Sequence, residues 1–343
     1  MISKRAAAIC VALEQDDERT GSCKRQRLWS TEDYVATRAL GEGSFGNVVE
    51  ARHRVTGEAV AVKALRAPPD AAAAAADEEV LREAAFLVAC RGHPALVDLH
   101  ALAINPSTAD VALVMESVGP SLHSVLYDAI HRNGRPFREA DVRSIMRQLL
   151  GGAKHMHSLK IMHRDIKPGN ILVVKGSAIG SAISVKICDF GLAAAGTRSY
   201  MAPEVLLGKH DYDAMVDMWS LGCVMAELLT GKPLFEGEAD DRDQVLRIFK
   251  VLGVPGPRAW PAFKSLPLAK TITMPFVRRH HNRLRDYVPK ARLSEKGFNV
   301  LKRLLSCNVN KRISANAALR SPWFTDDADP FASVGAATKT NIV

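Results

Sequence analysis

The most chemically loaded string in the chain is His163-Arg164-Asp165-Ile166-Lys167-Pro168-Gly169-Asn170. It sets a carboxylate, an ammonium two residues on and a carboxamide five residues on, along a loop stiffened by Pro168. Phosphoryl transfer asks little covalent chemistry of a protein; it asks for positioning and for neutralised charge. In that chemistry Asp165 would accept the proton of an incoming hydroxyl, Lys167 would stabilise the transferring group, and Asn170 would hold a magnesium ion. Nineteen residues past Asn170 comes Asp189-Phe190-Gly191. Asp189 offers a hard carboxylate for magnesium bridging the β and γ phosphates.

A second constellation lies upstream. Leu40-Gly41-Glu42-Gly43-Ser44-Phe45-Gly46-Asn47-Val48 contains GxGxxG, glycines that let backbone N–H groups approach phosphate oxygens without a Cβ in the way. The same spacing opens dinucleotide-binding units, where a helix follows the loop. Here Val48-Val49-Glu50-Ala51-Arg52 continues as strand, which favours a hairpin lid over nucleotide; a plain glycine hairpin is the bland alternative. Lys63, on the apolar strand Ala61-Val62-Lys63, could neutralise the α and β phosphates. Twenty residues on, Glu83 could pair with Lys63 and fix it, although a lone helical glutamate is usually only a solvated charge.

These residues need elements to hold them. From Tyr34 to about Leu65, β-branched and apolar residues alternate between glycine-marked turns, predicting strands. The run Ala71 to Ala76 is low in complexity and leads into a helix predicted from about Asp77 to Ala89, with Val80, Ala84 and Leu87 on one face. Val111 to Met115 and Val185 to Cys188 read as short strands. After Ser121 the periodicity becomes helical, at Ile145, Leu149 and Met156, and a strong helix from Met215 to Leu229 stops at Thr230-Gly231. A strand-rich first third and a helix-rich remainder predict an α+β fold in two lobes. No internal repeat is visible.

The 343 residues suggest about two domains or lobes. Hydrophobic residues at 47% and charged residues at 24% are an ordinary soluble balance. No stretch approaches the roughly 20 apolar residues of a membrane span. Lys4 and Arg5 precede a short apolar run, but Glu14, Asp16, Asp17 and Glu18 follow at once, which argues against a secretory signal. Six cysteines without a CxxC pair read as reduced thiols inside a cell. The net charge of +9 is concentrated between Lys270 and Arg303, where ten Lys and Arg face two acids, Asp286 and Glu295. That run could hold an acidic partner or nucleic acid; with only Phe276, Tyr287 and Phe298 interleaved, a solvated surface is the preferred reading.

Taken together, the glycine loop, the strand lysine, the catalytic loop, Asp-Phe-Gly and Ala202-Pro203-Glu204 resemble the signature set of the eukaryotic protein kinases. The resemblance covers about residues 34 to 324, including Asp217-Met218-Trp219-Ser220-Leu221-Gly222. It implies a small antiparallel-sheet lobe with one helix (about 34–118) and a larger, mainly helical lobe (about 119–324), between a flexible leader (1–33) and a flexible tail (325–343). It implies ATP and Mg2+, with Leu40 to Val48 over the phosphates, Val48 and Ala61 above the adenine and Leu172 below it. Met115 would gate the back pocket, although core packing would equally explain it. Backbone groups of Glu116 and Val118 would bond the base, Asn170 and Asp189 would bind metal, and Glu204 with Arg312 would form a buried ion pair.

Lys167 and Thr197 resemble the serine/threonine kinases. Gln244 to Pro255, Trp260-Pro261 and Asn308 to Leu319 are similar to the cyclin-dependent branch, which implies protein substrates with Ser or Thr, intracellular in nucleus or cytoplasm, such as cell-cycle proteins or the repeat tail of RNA polymerase II. Three departures qualify this. The branch's cyclin-contacting string survives only as Arg82-Glu83, which counts against a cyclin. Asp189 to Glu204 spans only 16 residues, so the stretch that normally carries an activating phosphothreonine, the partner of Arg164, is missing; Thr197 is read instead as a structural residue near Asp165. Met201 stands where the branch has an arginine that shapes the pocket for a following proline. A scaffold that keeps the fold and transfers little phosphate is the alternative that the short segment favours and the intact Lys63, Glu83, Asp165, Asn170 and Asp189 oppose. A nucleic-acid binder using the basic run is a third.

Overall fold

The computed structural model describes residues 29–43, 46–65, 82–108, 110–176, 183–190, 196–237, 240–272 and 281–326. Ser44, Phe45, Val80, Gly191, the alanine run, Cys10, Cys23 and Phe276 lie outside them.

The alternating segments build one six-stranded sheet in the order β1-β5-β6-β4-β3-β2. Its strands are β1 (Trp29–Ser30), β2 (Tyr34–Gly43), β3 (Gly46–His53), β4 (Ala59–Leu65), β5 (Leu99–Ile104) and β6 (Val111–Glu116). Every pairing is antiparallel except β1 with β5. Because side chains alternate along a strand, register assigns the faces. Val48 opposes Lys63, and Ala61 opposes Met115, so these four share the inner face. Ala51, Val60, Val62, Ala103, Ala112 and Val114 fill the outer face, with Trp29 and Tyr34 packed on them.

That outer cluster takes in residues before Tyr34. Trp29 and Ser30 pair with Ala103 and Ile104, and the indole meets His53 edge-on at 5.1 Å. Covering apolar sheet surface draws the chain into the fold before Tyr34, so 29–33 belong to it. A last turn of helix covers Pro322–Thr325.

Helix α1 is described over 82–89, with Ala84 and Leu87 fully buried beneath the sheet. The large lobe is built on α2 (Leu122–Asn133), α3 (Glu139–Ser158), α4 (Met215–Thr230), α5 (Asp241–Leu252) and α6 (Glu295–Leu304). In α3, Ile145, Leu149 and Met156 are wholly buried. In α4 every residue from Val216 to Leu229 is buried, as a helix apolar on all sides must be. It ends at Gly231 in the left-handed region, φ 84°, where glycine avoids the Cβ penalty. Among the described residues no helix is long and apolar enough to cross a membrane.

Two short strands, β7 (Ile171–Val173) and β8 (Val185–Ile187), form a hairpin with Ile171 opposite Ile187. This register sets Asn170 against Cys188, whose N–H donates to the Asn170 carbonyl at 3.0 Å. Asn170 and Asp189 are thereby brought together. Backbone bonds from Val97 N–H to the Ile187 carbonyl and from Ile187 N–H to the Ala95 carbonyl tie the same hairpin to the loop after α1.

Candidate active site

On the inner sheet face, Lys63 Nζ donates to both oxygens of Glu83, at 2.7 and 2.9 Å, and to Asp189 Oδ1 at 2.7 Å. Lys63 and Glu83 are almost wholly buried, while the Asp189 side chain is 39% exposed. Burial works against the lysine's charge, but the carboxylates of Glu83 and Asp189 outweigh it and hold the ammonium above its ordinary value. Asp189 itself sits at φ 64°, a conformation that costs a non-glycine residue about 1–3 kcal/mol and that clusters at functional sites.

The Asp165 carboxylate is held by four hydrogen bonds. Lys167 Nζ (2.7 Å) and Asn170 Nδ2 (3.1 Å) donate to Oδ2; the Thr197 N–H (3.0 Å) and hydroxyl (3.1 Å) donate to Oδ1. Lys167 also reaches the Thr197 hydroxyl at 2.8 Å. Thr197 therefore bonds at Asp165, as the reading of it as a structural residue expected. Asn170 Nδ2 donates further to the Asp165 carbonyl at 2.9 Å, which leaves its Oδ1 as the atom suited to a hard cation.

What fixes the loop is a residue whose role the sequence reading missed. Asp217, completely buried in α4, accepts the N–H of His163 at 3.0 Å, the N–H of Arg164 at 2.8 Å and His157 Nε2 at 2.9 Å. Burial alone would raise its pKa; the His157 hydrogen bond, the charges of His157 and His163 and the Arg164 amide lower it instead. These bonds hold Arg164 in the left-handed region, φ 70°. His163 Nε2 lies 3.0 Å from the Cys188 carbonyl and its ring packs 5.3 Å from Phe190, so the catalytic loop is in direct contact with the Asp-Phe segment. An acid inside an otherwise apolar helix was the available signal, since a buried charge demands partners.

The remaining expected residues line the cleft between the lobes. Ala61, Met115 and Val118 are buried, and Val48 and Leu172 partly so. The Val118 carbonyl accepts from Lys175 N–H, and Glu116 N–H donates to the Asp98 carbonyl. Leu40 sits at a bulge in β2 and is 42% exposed. The backbones of Glu42, Gly43, Gly46 and Asn47 form the β2–β3 hairpin. A Cβ on Gly41 would meet nothing within 4 Å, and its φ is not positive. Nothing in the fold itself requires glycine there, and a phosphate chain approaching the backbone would. Also unforeseen is Glu50, which accepts from Lys175 Nζ at 2.7 Å and Ser117 Oγ at 2.9 Å. Those hydrogen bonds, Lys175 first, lower its pKa to about 2.

Beyond Thr197, Tyr200 donates its hydroxyl to buried Glu227 at 2.6 Å. Arg312 grips Glu204 with two parallel bonds of 2.7 and 2.8 Å, both side chains being at most 2% exposed. In the basic segment, Arg283 pairs with Asp286, and Arg285 and Lys290 with Glu295. Cys90, Cys188, Cys223 and Cys307 are free thiols.

The sequence profile of the protein kinase domain matches residues 34–324. The chain is 44% identical over 316 residues to a protein of Oryza sativa subsp. japonica named as cyclin-dependent kinase F-2, covering 87% of this chain and 92% of that one. It is 36% identical over 320 residues to cyclin-dependent kinase G1 of Arabidopsis thaliana (86% of this chain, about half of that protein). It is 34% identical over 313 residues to the serine/threonine-protein kinase ppk23 of Schizosaccharomyces pombe, covering 88% and 74%.

Proposed function

The chain belongs to the protein kinases, in the branch similar to the cyclin-dependent kinases, and from that premise we propose that it transfers the γ-phosphoryl group of Mg-ATP to serine and threonine hydroxyls of protein substrates. The observation that carries this reading is the coexistence of two charged clusters: Lys63 with Glu83 and Asp189, and Asp165 with Lys167, Asn170 and Thr197.

The residues fit both nucleotide and metal. Asn170 and Asp189 supply the carboxamide and carboxylate oxygens that magnesium prefers. Held there, magnesium would neutralise phosphate charge during transfer. Lys63, aimed by Glu83, holds the α and β phosphates. Ala61 and Val48 from above and Leu172 from below enclose the base, with Met115 at the rear. Asp165, its carboxylate oriented by four donors, takes the proton of the incoming hydroxyl at an Oδ oxygen. Lys167 Nζ, 2.7 Å from that carboxylate, places a positive charge where charge develops on the transferring group, the kind of preorganised stabilisation worth about 10²–10³ in rate.

The Lys63–Glu83 pair and the Thr197–Asp165 bonds both form within a single unphosphorylated chain. Activity is therefore expected without a cyclin and without phosphorylation near Thr197. The free thiols support an intracellular setting. The test is transfer of labelled phosphate from Mg-ATP to a mixed set of Ser/Thr peptides with no cyclin added, using Asp165→Asn as control. Transfer that disappears in the variant is the expected result. Nucleotide binding without transfer would instead favour the scaffold reading.

A further inference from the structure

The base slot has its roof on one lobe and its floor on the other. Val48 on β3 and Ala61 on β4 make the roof, and Leu172 on β7 makes the floor. Glu50 lies two residues beyond Val48 on β3, so it shares that inner face, and it stands opposite Ala61 in register. Lys175 lies three residues beyond Leu172. Its Nζ donates to Glu50 Oε1 at 2.7 Å and to the Ser117 hydroxyl at 3.2 Å, and that hydroxyl donates in turn to the same Glu50 oxygen at 2.9 Å. The strand that carries the roof is thereby bonded to the chain that carries the floor, beside Glu116 and Val118.

The floor end of this bridge is rigid. Lys175 N–H donates to the Val118 carbonyl at 3.1 Å, and Val173 N–H to the Pro120 carbonyl at 2.8 Å. Between those two bonds the chains run so close that a Cβ on Gly119 would stand 2.2 Å from the Val173 carbonyl oxygen; glycine is what permits the approach. Lys175 is thus pinned at its backbone while its side chain crosses to the sheet. At the roof end the Glu50 side chain is 16% exposed, against 52% for Lys175. Its second oxygen, Oε2, is taken by Arg38 at 3.2 Å, from the neighbouring strand β2. With both oxygens engaged and its pKa lowered to about 2, chiefly by the Lys175 hydrogen bond, Glu50 stays an anion at neutral pH.

A second bond also crosses the cleft, from Lys63 to Asp189, but both of its groups are assigned above to phosphate and metal. The side chains of Glu50, Lys175 and Ser117 carry no such duty. Resting on the nucleotide reading above, we propose that these three form a clasp that holds the roof of the base slot down on its floor and so sets how fast nucleotide leaves, with Glu50 and Lys175 as positioning residues acting through Val48 and Leu172. The clasp can stay closed while Lys63 and Asp189 change partners. A half-exposed pair is screened by salt and is weak in isolation. Its effect is therefore on the rate of opening, by a few-fold, and not on whether the lobes fold.

The experiment times the release of a fluorescent ADP analogue from the full chain, chased with unlabelled Mg-ADP in stopped flow. Lys175→Met and Glu50→Ala should each release it about fivefold faster, the upper range for an exposed ion pair, and the double variant no faster than either. Arg38→Gln, which breaks a bond between adjoining strands of one lobe, should release it at the wild-type rate. Salt raised to about 1 M should bring wild type and variants together. In steady state the ATP KM should rise in both clasp variants, while peptide KM and the denaturation midpoint stay in place and kcat does not fall, a split that general loss of structure does not produce. Unchanged release in Lys175→Met, a double variant faster than both singles, or an equal gain from Arg38→Gln would overturn the clasp. Phosphate transfer to Ser/Thr peptides is scored on the same proteins. Clasp-dependent release without transfer would sink the kinase reading and leave the clasp standing, transfer with release untouched would do the reverse, and a chain that binds no ADP would overturn both.

Discussion

Glu83 and Glu204 are both glutamates buried against a cation, and the two pairs are built in opposite ways. Glu204 faces a guanidinium whose fork is fully engaged: two bonds to the carboxylate, one to the Met215 carbonyl at 2.7 Å, one to the Ser306 carbonyl at 3.0 Å, with the Trp219 ring 5.3 Å away. A planar, bidentate cation of this kind locks one geometry. Glu83 faces a compact ammonium that it shares with a half-exposed third group, Asp189. One pair is closed and holds the lobe together; the other is bonded to a third group whose side chain is partly exposed. Burial of an ion pair says little about its use. What distinguishes the second pair is a third partner, Asp189, whose side chain is 39% exposed.

Four experiments press on that contrast. Glu204→Ala leaves Arg312 buried without its carboxylate and should cost about 3–5 kcal/mol of stability, read as a drop in denaturation midpoint; Arg312→Lys alone should also lower the midpoint, because a point charge cannot replace a fork. Lys63→Met should lower kcat/KM by about 10²–10³, while Glu83, left buried without the lysine, can take up a proton as the Arg312 guanidinium cannot give one up, so the denaturation midpoint should move less than in Glu204→Ala. Similar stability losses in the two would erase the distinction between the two pairs.

A third buried glutamate sharpens it further, because among the described residues no cation pairs with it. Burial raises the Glu227 pKa to about 7, the Tyr200 hydrogen bond offsetting only part. The folded state favours the protonated form, so this contribution is complete below the unfolded value of 4.5 and is lost as pH rises through about 7. The wild type should lose about 2–3 kcal/mol across that window, and Glu227→Gln should show a flat profile in denaturant titrations at its two ends. The smallest effect concerns Thr197. Thr197→Val removes a hydroxyl bonded to a carboxylate and should lower kcat about tenfold. Thr197→Asp should not activate; a many-fold gain would show that a phosphate is wanted there after all.

Much of the site was legible because its chemistry is carried by short strings. Asp165, Lys167 and Asn170 lie within one turn of loop, and Asp189 is positioned by a hairpin of which one strand, Val185 to Cys188, was visible as an apolar run. Lys63 and Glu83 needed only a strand and a helix of the right register. What escaped depends on distance in sequence. Asp217 lies more than fifty residues from the amides it binds, and periodicity marks it only as a charge in the wrong place. Trp29 joins a sheet through partners 74 residues on, with too few strand residues of its own to announce it. Glu50 gains its meaning from Lys175, across the cleft.

Asp217 also carries a kinetic consequence. The N–H groups of His163 and Arg164 end on a carboxylate embedded in α4, the helix at the centre of the large lobe. Neither bond can open without displacing that helix or stranding a buried charge. Those two amides should consequently exchange with solvent deuterium as slowly as the core helix itself, through global unfolding alone, although they belong to a loop.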